Sequence, residues 1–366
     1  MTARAPIRVL VVEDSAVIRR LLAHIIAGDP RLQLAGAVES GEDALDAIPR
    51  LRPDVISMDI RLPGMDGLEA TRRIMALHPT PIVVIADSVE DASLRISMNA
   101  LRSGALSVVE KPIGLLSGNY EAVARTIATQ LAIMSEVPVI RRRGDLALAD
   151  ASPTPDPWAG RGSGTAIGAT VMAVAASTGG PPALARLLGA LPATFPLPVL
   201  LVQHMGDAFI EGFAGWLDGL VLIPVALARH DEPLRPGRVF VAPGGHHLRA
   251  STGPDGTLRA RLDRNEPVSG QRPSATSLFD SLSRLGTGGL GILLTGMGED
   301  GAVGLASMKR AGGYTITEHP STTVVYGMPA AAVRLGGSCA SLPLDDIAPH
   351  VLQMLQPRIR LAGTGA

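Results

Sequence analysis

Short apolar runs alternate with helix-period segments along most of the chain. That alternation is the signature of βα units feeding a parallel sheet. The first series is compact. IRVLVV (7–12), LQLAGAV (32–38), DVISM (54–58), PIVVIA (81–86) and LSVVE (106–110) read as strands. Between and after them, Ser15–Ala27, Gly41–Leu51, Leu68–Leu77, Ala92–Ser103 and Tyr120–Ser135 carry apolar residues at helical spacing. In the first helix these are Val17, Ile18, Leu21, Leu22, Ile25 and Ile26. Five strands and five helices in that order predict a doubly wound, flavodoxin-like unit over residues 1–135.

The pattern then stops. Residues 136–169 hold no sustained period, an Arg141-Arg142-Arg143 triplet, prolines and a Gly-Ser stretch, and read as an interdomain linker. The arginine triplet reads as a solvated linker face. A second βα series occupies 170–366. VMAVAA (171–176), PVLLVQ (198–203), LGILLTG (290–296) and YTITE (314–318) are its expected strands. Helices are expected over Pro181–Leu191, Phe209–Leu217, Ser277–Leu285, Gly301–Ala311, Pro329–Leu335 and Ile347–Leu355. GRVFVAP (237–243) and Leu248–Leu262 look like hairpin material. The whole is therefore expected to be α/β: a (βα)5 unit, a linker and a second doubly wound parallel-sheet domain.

Composition narrows the function. A 46% hydrophobic and 18% charged chain is able to bury a core. Thirty-three basic against 34 acidic residues leave no polycationic footprint for nucleic acid, and only 10 aromatic residues are present for base stacking. The N-terminal apolar run ends in Glu13-Asp14 without a cleavage pattern, and no long uninterrupted apolar stretch occurs. No leader and no membrane insertion are expected. The single cysteine, Cys339, has no internal partner, which suits a reducing, cytoplasmic setting. A monomer is expected.

Chemistry gathers at the predicted strand ends, where open α/β sheets form their ligand crevices. In the first unit Glu13 and Asp14 follow the first strand, Asp59 the third and Lys111 the fifth. Three carboxylates at one sheet edge invite a hard cation such as Mg²⁺. A cation and a lysine would neutralise an incoming phosphoryl group, with Asp59 as its acceptor. VVEDSAVIRR, PDVISMDIRLPGMDGLEA and SVVEKP resemble the receiver domain of two-component response regulators, over residues 7 to about 130. The resemblance implies Asp59 as phosphoacceptor, Glu13 and Asp14 beside it as Mg²⁺-site acids, Lys111 as phosphate partner, and a histidine kinase as phosphodonor. One position departs. Receivers place Thr or Ser at the end of strand four to donate to the phosphoryl group, and this chain has Ala86, followed by Asp87 and Ser88.

In the second series VMAVAA runs into Ser177-Thr178-Gly179-Gly180 and then Pro181-Pro182 opening a helix. This puts a serine hydroxyl at a helix N-terminus, where amide groups favour developing negative charge. It is not the G-x-S-x-G pattern of α/β-hydrolases. Among eight histidines, His204 directly follows PVLLVQ, and His319, which also follows a strand, is a rival base. Asp300, in the glycine-rich run after LGILLTG, would orient the imidazole. His246 and His247 are adjacent and point apart on extended chain, which speaks against a metal site there.

AASTGGPPAL, LLVQHM, VFVAPGGHHL, RPSATSLF, LLTGMGEDGAVGL, KRAGGYTI and VVYGMP resemble the catalytic domain of chemotaxis protein-glutamate methylesterases, the CheB family, over roughly 170–355. The resemblance implies Ser177 as nucleophile, His204 as base, Asp300 as orienting acid, the Met297 backbone N–H in an oxyanion hole, Thr178 lining the pocket, and no cofactor in that site. It implies hydrolysis of γ-glutamyl methyl esters, and deamidation of selected glutamines, on chemoreceptors, with the receiver controlling access to the site. Two other classes stay open at this point: a catalytically silent adaptor binding receptors or kinase, and a DNA-binding regulator, although no helix-turn-helix pattern is present.

Overall fold

The structure is a computed structural model that describes residues 5–86, 105, 107–112, 120–137 and 168–362. The predicted helix Ala92–Ser103, the residues Asp87 and Ser88, and most of the linker, with Arg141–Arg143, lie outside the described residues.

In the N-terminal unit β1 (Ile7–Val12), β2 (Leu32–Val38), β3 (Val55–Met58), β4 (Ile82–Ala86) and β5 (Ser107–Glu110) form one sheet of order β2-β1-β3-β4-β5. Its pairings are all parallel. Four helices are described: α1 (Ala16–Ala27), α2 (Gly41–Leu51), α3 (Gly67–Leu77) and α4 (Tyr120–Met134). Ser15, Ser40 and Asp66 start the first three, each side chain accepting the N–H of Ile18, Asp43 or Glu69. Each such cap is worth about 1 kcal/mol. Because successive strand residues face opposite ways, Leu10 and Val12 pack in the cluster of Ile48 and Ile74, from α2 and α3. Val9 and Val11 pack instead with Leu22 of α1 and Leu131 of α4. Both faces of the sheet are therefore covered, as a parallel sheet requires.

The C-terminal unit follows the same rule with more strands. β6 (Val171–Ala176), β7 (Pro198–Gln203), β8 (Val225–Leu227), β9 (Arg238–Val241), β12 (Gly289–Leu293), β13 (Tyr314–Glu318) and β14 (Ala340–Leu342) form a sheet of order β14-β13-β12-β6-β7-β9-β8. β10 (His247–Thr252) and β11 (Leu258–Asp263) make a separate antiparallel hairpin. Met172, Val174 and Ala176 of β6 face α5 (Gly180–Gly189), α6 (Asp207–Asp218) and α10 (Leu344–Ala362) through Leu184, Phe213 and Val351. Val171, Ala173 and Ala175 face α7 (Ala275–Ser283), α8 (Ala302–Arg310) and α9 (Met328–Arg334) through Phe279, Leu305 and Met328.

Two sequence expectations change here. The run 237–243 is not hairpin material: β9 pairs in parallel with both β7 and β8 inside the main sheet. The reason is burial on both faces, Val239 and Val241 entering one core and Phe240 the other. The hairpin is instead the segment His247–Asp263, where β10 and β11 pair antiparallel. The last helix is also longer than the 347–355 expected, running from Leu344 to Ala362. Among the described residues no helix is long and apolar enough to cross a membrane.

The topology fixes where a site can form. β6 lies between β12 and β7, so the chain leaves it in one direction and later returns on its other side. Loops diverge at such a reversal, which opens a crevice at the C-terminal strand ends.

Candidate functional site

Ser177 sits at that crevice, one residue beyond β6. Its N–H donates to the Thr295 carbonyl at 3.0 Å, tying it to the end of β12. Its carbonyl accepts from the Gly180 N–H at 2.8 Å and from the Gln203 side-chain amide at 2.9 Å. The same amide donates to the His204 carbonyl at 2.9 Å. Gln203 therefore clamps the two loops that carry Ser177 and His204. Gly179, the residue that starts α5, has φ +77°, and a Cβ there would lie 2.5 Å from Val324 Cβ. Only glycine suits both the left-handed conformation and that approach. A Cβ on Gly296 would meet Met328 Sδ at 2.2 Å and Ser177 Cβ at 2.8 Å. The glycines around the serine are thus spent on close backbone packing.

His204 follows β7, and its Nε2 lies 2.9 Å from Asp300 Oδ2. Asp300, at the start of the turn into α8, is buried. It takes hydrogen bonds from Ser274 Oγ (2.8 Å), Ala275 N (2.7 Å), Thr276 N (3.0 Å) and Gly301 N (2.9 Å) as well. Burial alone would push its pKa up, but the bond to and charge of His204, then Ser274 and Thr276, hold it down at about 2. A carboxylate this acidic only accepts, so the shared proton resides on His204 Nε2 and leaves Nδ1 as the basic nitrogen. No hydrogen bond joins Ser177 Oγ to His204 among the described residues; such contacts commonly close only around substrate.

The rival histidine is differently employed. His319 Nδ1 lies 2.8 Å from Ser321 Oγ and accepts the Ser321 N–H, within its own turn. His246 bonds Gly244 O and receives Arg264 Nε, whereas His247 is fully buried on Glu266 O. The adjacent pair does point to different partners. Met297, just past Gly296, stands 45% exposed. Thr178 is buried, its carbonyl accepting Thr295 Oγ1 at 2.9 Å.

Sequence reading did not single out Gln203, Ser274, Thr276 or Thr295. A serine before an ATSLF run signals a helix cap, and Ser274 does cap α7 by accepting Ser277 N at 3.2 Å. Nothing local indicates that its hydroxyl also reaches a carboxylate 26 residues away.

The N-terminal acids converge as expected. Lys111 Nζ lies 2.9 Å from Asp59 Oδ2 and 3.1 Å from Glu13 Oε2. Asp59 is buried and its Oδ1 also accepts the Ile60 N–H at 2.7 Å. Asp14 is exposed beside them, and one oxygen from each of Glu13, Asp14 and Asp59 lies within 4.8 Å of the others. Burial, then the charge of Asp59, raises the Glu13 pKa to about 7 despite Lys111. Burial likewise raises that of Asp59 against the pull of Lys111. Burial works against the charge on Lys111, but the two carboxylates outweigh it and raise its pKa. Three crowded carboxylates that share a single lysine fit a divalent cation. Ala86, at the end of β4, is buried and offers this site no donor side chain; its carbonyl accepts the Lys111 N–H at 2.9 Å.

The two units meet beside Ser177. Gln130 of α4 donates from Nε2 to Thr178 Oγ1 at 3.1 Å, and its buried Oε1 has no hydrogen-bond partner among the described residues. Val324 and Val325 pack against the N-terminal cluster that includes Ile127 and Leu131.

Comparison with known proteins finds a match in each part of the chain. Residues 172–351 match the family described as CheB methylesterase, and residues 9–117 match the response regulator receiver domain. The chain is 49% identical to protein-glutamate methylesterase/protein-glutamine glutaminase 2 of Paramagnetospirillum magneticum over 354 residues, 95% of this chain and 97% of that one. It is 46% identical to protein-glutamate methylesterase/protein-glutamine glutaminase 4 of Myxococcus xanthus over 347 residues, 94% of this chain and 96% of that one.

Proposed function

The chain belongs to the CheB family of protein-glutamate methylesterases/protein-glutamine glutaminases, and on that premise we propose that Ser177, His204 and Asp300 carry its hydrolysis, under the control of the receiver. The substrates are γ-glutamyl methyl esters, and selected glutamines, on the cytoplasmic helices of chemoreceptors. Ser177 Oγ attacks the ester carbonyl while His204 Nδ1 takes its proton. Asp300, which holds Nε2–H, stabilises the imidazolium so formed. Methanol leaves with that proton. Water, deprotonated by the same nitrogen, then attacks the acyl-serine and returns Ser177 and glutamate. A glutamine side chain follows the same route and loses ammonia. The negative oxygen of each tetrahedral intermediate is placed against the Met297 N–H, with Thr178 lining the pocket.

The observation that carries this reading is the 2.9 Å His204–Asp300 bond beside Ser177, at the strand reversal of β6. Replacing Ser177 or His204 by alanine should lower methanol release from methylated receptor membranes at least about 10³-fold. His319→Ala should largely spare it. Full activity in His204→Ala with loss in His319→Ala would reverse the assignment of the base.

For the receiver we propose boundaries of 1–135, a linker over 136–169 and a catalytic domain over 170–366. Asp59 accepts a phosphoryl group from a chemotaxis histidine kinase, and Lys111 pairs with it. Glu13, Asp14 and Asp59 would hold Mg²⁺, whose chemistry is charge neutralisation of the phosphoryl oxygens. The Gln130–Thr178 contact supports a receiver that covers the crevice until Asp59 is phosphorylated.

A further inference from the structure

We infer that Ser274 is the positioning residue of the catalytic carboxylate: its hydroxyl, held by one accepted and one donated hydrogen bond, helps set the rotamer in which Asp300 meets His204. The inference rests on the triad proposed above and adds a residue to it.

Every hydrogen of Ser274 has one available direction. Its Oγ accepts the Ser277 N–H at 3.2 Å as the cap of α7. The hydroxyl proton is therefore free to donate only outward, and it meets Asp300 Oδ1 at 2.8 Å. Its N–H donates to His247 Nδ1 at 3.2 Å. That bond fixes His247 as the Nε2–H tautomer, which matches the 3.1 Å contact of His247 Nε2 with the Glu266 carbonyl. His247 and Ser274 are both fully buried, so no water competes for these groups. Ser274 thus donates both ways: its N–H to His247, which in turn donates to Glu266 O, and its hydroxyl to Asp300, which also accepts from His204.

The two carboxylate oxygens are divided by this arrangement. Oδ1 takes Ser274 Oγ, Thr276 N and Gly301 N, while Oδ2 takes Ala275 N and His204 Nε2. The backbone donors of α7 and of the turn hold the group in place. Among the described residues the serine hydroxyl is the one side-chain donor on Oδ1, and together with Thr276 N and Gly301 N it leaves Oδ2 for the imidazole. A catalytic group misplaced by about 1 Å can cost about 100-fold in rate.

The cap and the positioning role can be separated by substitution in the full-length protein. Glycine is nearly as good a helix cap as serine but has no hydroxyl. Aspartate caps well and sets a second negative charge against Asp300. We expect Ser274→Gly to lower kcat for methanol release by up to about 100-fold with KM changed less than twofold, and Ser274→Asp to lower it further. Ser274→Thr, which keeps cap and donor, should restore most of kcat. The proton signal of His204 Nε2–H, far downfield when bonded to Asp300, should move in the Gly variant and return in the Thr variant. A change confined to folding would lower the melting temperature and leave kcat per folded molecule and that signal unmoved. Wild-type kcat and an unmoved signal in Ser274→Gly would overturn the inference; if that variant does not fold, wild-type kcat in Ser274→Asp would do so. Ser177→Ala, run in parallel, distinguishes the failures: if it stays active the triad itself is wrong, and if it is dead while both Ser274 variants are active, only the role of Ser274 falls.

Discussion

Single residues set the protonation states on which this chemistry depends, and burial acts differently on each. Asp300 is buried yet acidic because five donors reach it. Its stabilising contribution is present above its unfolded pKa and is lost only as pH falls from about 4 toward about 2. Glu318, at the end of β13, is the opposite case. It is fully buried, accepts Thr295 N at 2.8 Å, and burial raises its pKa, with that bond, Thr322 and Arg186 opposing. Its folded form favours the proton, so its contribution is full below about pH 4.5 and is lost as pH rises through the folded value. Each tenfold change in proton affinity is worth about 1.4 kcal/mol. Glu318→Gln keeps an acceptor for Thr295 and removes the titration. Urea unfolding at pH 5 and pH 8 should show a smaller loss of stability with rising pH in this variant than in the wild type. Ala86 is a deficit of the same scale, a missing hydroxyl at the proposed phosphoryl site. Ala86→Thr should enlarge the rise in methanol release on adding a phosphodonor, and an unchanged ratio would show that the hydroxyl is not needed.

Elements place these residues, and here the legibility of the sequence divides cleanly. Strands buried on both faces, such as VMAVAA and PVLLVQ, announce themselves as unbroken apolar runs bounded by glycine or polar residues, and β6 and β7 lie where they are expected. Ser177, His204 and Asp59 were findable because they stand immediately past such runs. β8 and β14, three residues each, are too short to carry a period. Strand order was not legible either: whether β9 joined a hairpin or the main sheet depends on which cores its side chains enter. The same applies to Ser274, whose local signal is a cap and whose second partner is set by packing of α7 against the β12 loop. The turn between β6 and α5 offers a test. Gly179→Ala would force an L-residue into φ +77° and a Cβ into Val324. The left-handed conformation alone costs roughly 1–2 kcal/mol, so the melting temperature should fall by several degrees. Displacement of Ser177 should reduce kcat in the folded fraction.

The whole molecule joins a switch to a hydrolase with no strong charge on either. Residues 1–134 carry 14 basic and 16 acidic side chains, a net of −2, and residues 169–366 carry 15 and 14, a net of +1. Docking therefore rests on local contacts such as Gln130 on Thr178 and Val324 and Val325 on the receiver core, more than on long-range steering. A hydrogen bond of this kind contributes about 1 kcal/mol. Gln130→Ala should then raise activity without phosphodonor, by up to about fivefold, and shrink the response to it. The most direct test of the proposed function is methanol release from methylated chemoreceptor membranes by the full-length protein, with and without a phosphodonor, against Ser177→Ala. We expect release that rises with the phosphodonor and is abolished in Ser177→Ala under both conditions. Release by Ser177→Ala at the wild-type rate would contradict a serine esterase gated by its receiver.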